Sequence, residues 1–397
     1  MNILFVTTKT PLPMDDGHSL RDFNILRQLA KEHRTHLIST VKAEREWGYV
    51  SDLEKICASV QLVEVPANRS KLALAATLIE SLIKRKAFVT VKYDLPAMRQ
   101  AIRKTLAENT IDFVHLGILS LAVYLDEVTG YPVALDEHNV ESALLQRRLT
   151  TETGIGRLFY RWQQQWLEDF EKEVARGVTH IWSCSDIDAK QLRQFAPQTP
   201  VTVIPNGVDR DYFQPLAGVR VEEESLVFVG GLNWHPNLDG LRWFDREILP
   251  LLLPKHPGLR LHIIGDGPQP LWRHKNSIIC YGRVEDIRPY MAKAAVFIVP
   301  LRIGGGTRLK ILNAMAAGCC VVATSIGAEG LAAVNGENIL VGDSAGQFAE
   351  QILAVFASVA LREKIGKNAE LFIRDNYDWE LIGERLRTEV AQLGKEK

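Results

Sequence analysis

A chain of 397 residues with 46% hydrophobic side chains is long enough to bury two ordinary cores. Its 47 basic and 48 acidic side chains nearly cancel, and a net charge of -1 argues against a phosphate-backbone polymer as partner, so no nucleic acid is expected. The five cysteines Cys57, Cys184, Cys280, Cys319 and Cys320 are odd in number, which fits buried thiols in a reducing cytoplasm rather than a disulfide framework.

The chain opens on MNILFVTTKTPLP, a short apolar run without the basic start or small-residue cleavage site of a signal peptide, and it reads as a first core strand. No segment approaches the ~18 apolar residues that a membrane span needs. Apolar, β-rich runs then alternate with helix-period segments: ILFVTT, HLISTV, VQLVEV, FVHLGIL, PVALDEH, HIWSCS and VTVIPNG. That rhythm predicts a mostly parallel sheet with helices on both faces. After VQLVEV, residues 66–104 hold nine basic side chains against Glu80 and Asp94, with LALAATLIESLI between the basic clusters. Two readings stay open for this segment: an amphipathic surface helix that meets anionic lipid and positions a lipid-linked acceptor, or a solvated basic face over a buried apolar stripe. Farther on, Asp186-Ile187-Asp188 has a DxD spacing known from metal sites. Ser185 before it, with Asp188 at the third helical position, fits an N-terminal cap instead.

After a charged stretch from Asn206 to Ser225 that contains a proline and two glycines, the rhythm restarts with SLVFVGG, LRLHIIGDG, SIICYGR, AVFIVPL and CCVVATS. The expected fold class is α/β, with two tandem Rossmann-like doubly wound domains facing a central cleft. Residues 1–205 form the first and residues 206–376 the second. The terminal amphipathic helix, residues 377–397, is expected to cross back to the first. Ligands of open α/β sheets gather at the carboxyl ends of the strands, which makes that cleft the default site.

The most informative loop is GGGTRLK, from Gly304 to Lys310. Glycines 304, 305 and 306 permit close backbone approach, a helix expected from about Thr307 presents free N–H groups, and Arg308 and Lys310 add formal charge. Phosphate is the expected ligand, against a plain solvated turn. Neither the GxxxxGK[ST] nor the GxGxxG spacing is present, which removes P-loop NTPases and dehydrogenases. In the first half, His138 ends VALDEH, at the carboxyl end of a strand of buried type. A histidine there hydrogen-bonds a substrate in either protonation state, with Asp136 or Glu137 orienting it. Gly17, after Asp15 and Asp16, follows the first strand, where its backbone either reaches a ligand or simply turns the chain.

In order, FVGGLNWHPN (228–237), IIGDGP (263–268), YGRVEDIRPYMAKAAVFIVPL (281–301), GGGTRLKILNAMAAGCCVVAT (304–324), GAEGL (327–331), NGENILV (335–341) and YDWE (377–380) resemble the retaining glycosyltransferases of the GT-B fold, family 4. TPLPMDDGHSLRDFNIL, DEHNVE (136–141) and IPNGVD (204–209) extend the resemblance over essentially the whole chain. It implies transfer of a sugar, with retention of configuration, from a nucleotide-diphosphate sugar held by the second domain to a saccharide or lipid-linked acceptor held by the first. No cofactor and no metal are implied. Donor contacts are implied for Gly17, Gly230, Gly231, Gly282, Gly304, Gly305, Gly306, Thr307, Asn313 and Glu329, and catalytic roles for His138, Asp136, Glu137, Arg308 and Lys310. The setting implied is bacterial polysaccharide assembly, in the cytoplasm and peripheral at the inner face of the cytoplasmic membrane.

The sequence departs from that family at four places. The usual arginine and lysine after FVG are Gly231 and Pro236 here, and the paired glutamates fall on Gly305 and Asn313. Positive charge must then come from Arg308 and Lys310, with Arg302 as a further candidate. Asn313 still donates and accepts hydrogen bonds toward a ribose, but without charge. Two rival functions fit the same architecture: a nucleotide-sugar epimerase, and a non-catalytic binding protein derived from the family.

Overall fold

The computed structural model describes residues 1–14, 16–41, 44–149, 154–304 and 308–393. It divides into two compact units, Met1–Pro205 with Glu380–Lys397, and Asn206–Trp379.

In the first unit, strands β1 (Asn2–Thr7), β2 (Arg34–Val41), β3 (Ser59–Glu64), β4 (Phe113–Leu116), β5 (Val133–Glu137), β6 (His180–Ser183) and β7 (Val201–Val203) form one sheet in the order β3-β2-β1-β4-β5-β6-β7. Every pairing is parallel. Helices cover both faces, so the central strands read as continuous apolar runs; Ile3, Leu4, Phe5 and Val6 are all fully buried. The terminal helix Trp379–Leu393 packs here, with Glu380 accepting from Gln28 Nε2 at 3.1 Å and Lys31 Nζ at 2.5 Å.

The second unit holds β8 (Glu222–Val229), β9 (Arg260–Ile264), β10 (Ile278–Gly282), β11 (Ala294–Val299), β12 (Val321–Ala323) and β13 (Leu340–Val341), in the order β10-β9-β8-β11-β12-β13. Alternation along the strands feeds two cores. Leu226, Phe228, Val296 and Ile298 point to one face, and Val227, Phe297 and Val299 to the other.

Strand order reverses between β1 and β4 in the first sheet and between β8 and β11 in the second. Connections diverge at such a point and leave a crevice outside the carboxyl ends of the strands. Topology therefore directs ligand chemistry to the loops after β1, β4 and β5 in one unit and after β8 and β11 in the other.

The 66–104 segment departs from one reading of its sequence, a solvated basic face over a buried apolar stripe. It breaks into Pro66–Asn68, Lys71–Lys84, Phe88–Tyr93 and the first part of Pro96–Glu108. In the helix Lys71–Lys84 only Ser81 is buried, whereas Leu72, Ile79 and Ile83 are 83%, 57% and 76% exposed, so the helix has no buried apolar stripe. Its surroundings are also less basic in space than in sequence. Arg69 pairs with Glu64, Lys84 with Glu80, Arg99 with Asp94, Asp126 and Glu127, and Arg103 with Glu127. Among the described residues no helix is long and apolar enough to cross a membrane.

Candidate active site

At the switch point of the first sheet, Asp16 caps the helix Gly17–Ala30, accepting from the Ser19 N–H at 2.9 Å. Gly17 is thus the exposed first residue of a helix rather than part of a free loop. His18, Arg21 and Asp22 continue the stripe of Ile25, Leu26 and Leu29 toward the sheet, which buries Arg21 and Asp22 completely. Arg21 reaches the end of β5. Its Nε donates to Asp136 Oδ2 at 2.8 Å and its Nη2 to Asp136 Oδ1 at 2.5 Å, while Nη1 donates to the Ile204 carbonyl at 2.8 Å. A planar guanidinium matches a carboxylate in this two-point geometry.

His138, the residue just past the end of β5, lies against the same carboxylate. Its Nε2 is 3.2 Å from Asp136 Oδ2 and 3.5 Å from Asp22 Oδ1, and His18 Nε2 is 3.1 Å from Asp22 Oδ2. Burial alone would lower the pKa of His138, but the charges and hydrogen bonds of Asp136 and Asp22 outweigh it and raise it to about 9. It is an imidazolium at neutral pH. Asp136, despite burial, is held well below the usual carboxylate range by Arg21 and His138. Beneath them the buried His115 stacks on Phe5 at 4.0 Å, and burial drives its pKa down to about 4.

Strand alternation separates Glu137 from this group. Asp136 and His138 lie on one side of the chain where β5 ends, and Glu137 on the other, where both its carboxyl oxygens are enclosed with no hydrogen-bond partner among the described residues. Burial, then the neighbouring Glu171, raises its pKa well above the carboxylate range. Glu137 is therefore biased toward its neutral form and, facing away from the ring, does not orient His138. Glu171, from the helix Gly154–Gly177, accepts from the Glu141 N–H at 2.7 Å and from the Ser142 N–H at 3.3 Å, anchoring the start of the helix Glu141–Leu149 just after His138.

The raised pKa of His138 makes a testable statement about stability. A group whose folded pKa is about 9, against 6.5 when unfolded, stabilises the fold fully below pH 6.5 and loses that contribution as pH rises through 9. His138→Gln is expected to cost roughly 3 kcal/mol at pH 6 and far less at pH 9.5, read from urea melts at the two pH values.

In the second unit, three strand-end glycines interlock. Gly230 N–H donates to the Ile264 carbonyl and Gly265 N–H to the Gly282 carbonyl, each at 2.8 Å. A Cβ on Gly265 would sit 2.3 Å from the Gly230 carbonyl oxygen, so only glycine permits this closeness. Lys310 arrives from the helix Leu309–Ala316. Its Nζ donates to Asn237 Oδ1 at 2.8 Å and lies 4.2 Å from the centre of the Phe228 ring. Asn237 Nδ2 in turn donates to the Gly231 carbonyl at 2.9 Å. A Cβ on Gly230 would fall 2.5 Å from Lys310 Nζ, so the ammonium fills space that the glycine leaves open. Desolvation, with the Arg308 charge adding, pushes Lys310 down to about 7.

The other residues singled out in this unit are placed as follows. Arg308 is the residue preceding the helix, not part of its first turn, and its guanidinium folds over Gly304. Asn313 is half-buried at the position three beyond Lys310, on the same side of the helix. Glu329 follows β12, the neighbour of β11. Arg302 is committed elsewhere, pairing through two nitrogens with Asp239 at 2.7 and 3.0 Å. Pro236 lies in the first turn of the helix His235–Trp243. Gly305, Gly306 and Thr307 lie outside the described residues.

Asp188 sits in a helix cap: its N–H donates to Ser185 Oγ at 3.2 Å, and the Ser185 hydroxyl donates to its carboxylate at 2.6 Å. A spacing that a metal would tolerate occurs elsewhere, with ligand atoms of Asp22, Asp136 and His138 within 4.8 Å of one another. Arg21, however, already holds both oxygens of Asp136. His18, Arg21, Asp22 and Asn237 were missed in the sequence. The first three had a visible signal, polar residues on the stripe that Ile25, Leu26 and Leu29 make apolar.

Both units carry glycosyltransferase domains. Residues 23–212 match the family model described as Glycosyltransferase Family 4 and residues 223–358 that described as Glycosyl transferases group 1. With the two parallel sheets and their switch points, this makes the chain a glycosyltransferase of the GT-B fold. Among its relatives, an uncharacterized 44.6 kDa protein in the cps region of Klebsiella pneumoniae is 23% identical over 95% of this chain and 96% of its own length. A phosphatidyl-myo-inositol mannosyltransferase of Mycobacterium tuberculosis is 26% identical over 73% of this chain and 76% of its own. Among solved structures, sucrose-phosphate synthase from Thermosynechococcus elongatus superposes with a TM-score of 0.74 at 16% identity, over 100% of both chains. Anabaena HepE in complex with UDP superposes with a TM-score of 0.68 at 14% identity, over 99% of this chain and 100% of its own.

Proposed function

We propose that this protein moves a sugar from a nucleotide-diphosphate donor to a saccharide or lipid-linked acceptor with retention of configuration, without metal or cofactor. The observation that carries the reading is the delivery of Lys310 to the Gly230–Gly231 loop, where the usual cations after FVG are missing. A diphosphate lying on that loop meets the Lys310 ammonium, with Arg308 at the head of the same helix. Fixed positive charge at a departing diphosphate lowers the barrier to breaking the glycosidic bond. Asn313 serves the ribose as a neutral partner, and the His138 imidazolium is a hydrogen-bond donor for substrate at the first unit. HepE, of the same fold, binds UDP.

The setting proposed is polysaccharide assembly in the cytoplasm, at the inner membrane face. Its support is the relative in a cps region, the mannosyltransferase whose acceptor is a lipid, and the exposed leucine and isoleucine side chains of the helix Lys71–Lys84 beside Arg85 and Lys86. Leu72→Glu with Ile83→Glu is expected to weaken sedimentation with vesicles containing anionic lipid by at least ~10-fold, since two apolar side chains are withheld from the bilayer.

Incubation with UDP-, GDP- and ADP-sugars, with and without a glycan or lipid acceptor, tests the activity. The expected outcome is acceptor-dependent release of nucleotide diphosphate and a product anomer that matches the donor in its proton NMR coupling. Turnover of the sugar without acceptor would indicate an epimerase. Failure to bind any of the donors would indicate a non-catalytic protein.

A further inference from the structure

On the helix His235–Trp243 the buried residues Pro236, Asn237, Gly240, Leu241 and Trp243 make one stripe, and Asn237 brings an amide into it. At 5% exposure an amide is costly to enclose unless both of its ends are paired. Its Nδ2 donates to the Gly231 carbonyl at 2.9 Å, and its Oδ1 accepts from Lys310 Nζ at 2.8 Å. A carbonyl only accepts and an ammonium only donates, so the two partners enforce the same orientation of the amide. Asn237 thereby ties the loop after β8 to the helix Leu309–Ala316. The charge that acts on Lys310 is that of Arg308, at the head of the same helix. Asp239, two residues past Asn237, is held by Arg302, and among the described residues no carboxylate pairs with Lys310.

We infer that Asn237 is a positioning residue for the diphosphate site: its neutral amide fixes the Lys310 ammonium in the space that Gly230 leaves open, without cancelling its charge, and so reserves that charge for an anionic ligand. The inference rests on the transferase reading above. A lysine head that is free in solution loses rotamer freedom when it docks on a ligand, and one already anchored loses less. The neutral amide separates anchoring from charge. A carboxylate of the same shape would hold the ammonium more firmly, but as an ion pair, and would set an anion beside the place where the diphosphate lies. Its second oxygen would also face the Gly231 carbonyl, two acceptors with no proton between them. An aliphatic side chain would leave both the carbonyl and the ammonium without this partner. Asn237 acts through Lys310, so its contribution to binding should exist only while the lysine is present.

The test is a double-mutant cycle on the full chain, read by calorimetric titration of UDP, GDP and ADP at pH 6.5. Asn237→Ala is expected to weaken the diphosphate that binds best by roughly 10-fold in the native background, and by less than ~2-fold when Lys310→Ala is already present. Asn237→Ser carries the cycle if the alanine variant does not fold. Asn237→Asp, nearly isosteric, is expected to weaken binding by at least ~30-fold even though it keeps the lysine charged. At pH 8 proton uptake on binding should be close to one in the native chain and nearly absent in Asn237→Asp, because the new carboxylate protonates Lys310 beforehand. A loss of affinity that came only from a damaged helix would be the same with and without Lys310, and that result would overturn the assignment. So would an Asn237→Asp chain that binds as the native one does. A native chain that binds none of the three diphosphates overturns the transferase reading and this inference with it, whereas one that binds them with Asn237 acting independently of Lys310 overturns this inference alone.

Discussion

Arg21→Leu is expected to lower the stability of the first unit by roughly 3–5 kcal/mol, the cost of leaving one member of a buried ion pair without its partner. For a unit of about this size that corresponds to a fall in Tm of roughly 10 °C. The loss comes from Asp136, fully enclosed and stripped of both guanidinium hydrogen bonds, and not from the aliphatic stem, which leucine replaces. The pH dependence identifies this cause. In the native protein the Asp136 carboxyl is held below 3.8, so the pair contributes stability above that pH and loses it as pH falls. In the variant burial dominates, the Asp136 pKa rises, and protonation relieves the strain. The gap between variant and native protein should therefore narrow from pH 7 to pH 4 in thermal melts. A gap independent of pH would mean that the loss is one of packing.

Lys310→Ala should weaken binding of a nucleoside diphosphate by roughly 30-fold, about 2 kcal/mol, the scale of one charge-assisted hydrogen bond to phosphate. The fold should tolerate it, because among the described residues the lysine head is held by Asn237 and the face of Phe228. Gly230→Ala offers an independent route to the same loss. Its Cβ would stand 2.5 Å from Nζ and 2.7 Å from Asn237 Nδ2, displacing the ammonium without removing it. Calorimetric titration of UDP, GDP and ADP into the three proteins reads the effect. If both variants bind as the native chain does, the diphosphate lies elsewhere.

Much of the architecture was legible because parallel sheets write themselves as apolar runs with glycines and polar residues at their carboxyl ends. ILFVTT, SLVFVGG and AVFIVPL each contain a central strand, and FVGG marks the end of β8 at the switch point of the second sheet. FVHLGIL was read too long, since only Phe113–Leu116 is strand and a 3-10 helix takes over at Leu119. The site was harder to read because its key contacts join residues far apart in sequence. Lys310 stood out as a cation, but nothing local showed that its ammonium meets Asn237, 73 positions earlier. Arg21 and Asp136 are 115 positions apart. Asp136 and Glu137 looked equivalent beside His138, and only the two-residue period of the strand distinguishes the anion that touches the ring from the carboxyl enclosed on the other face. The basic excess of residues 66–104 shrinks in space for the same reason, since Glu64, Asp126 and Glu127, which pair with part of it, lie outside the segment.

The central claim is that Lys310 is the cation of a donor diphosphate site, and proton linkage tests it most directly. In the unliganded protein desolvation holds Lys310 at about 7, so above that pH it is mostly neutral and must take up a proton when a diphosphate binds. Calorimetric titration of UDP in buffers of different ionisation enthalpy should show little lysine-dependent proton uptake at pH 6 and close to one proton at pH 8.5, with affinity falling by up to ~10-fold per pH unit above 7. Lys310→Ala should lose both the uptake and the slope. Binding of UDP with the same proton uptake in the native chain and in Lys310→Ala, or no binding of any nucleoside diphosphate, would contradict the claim.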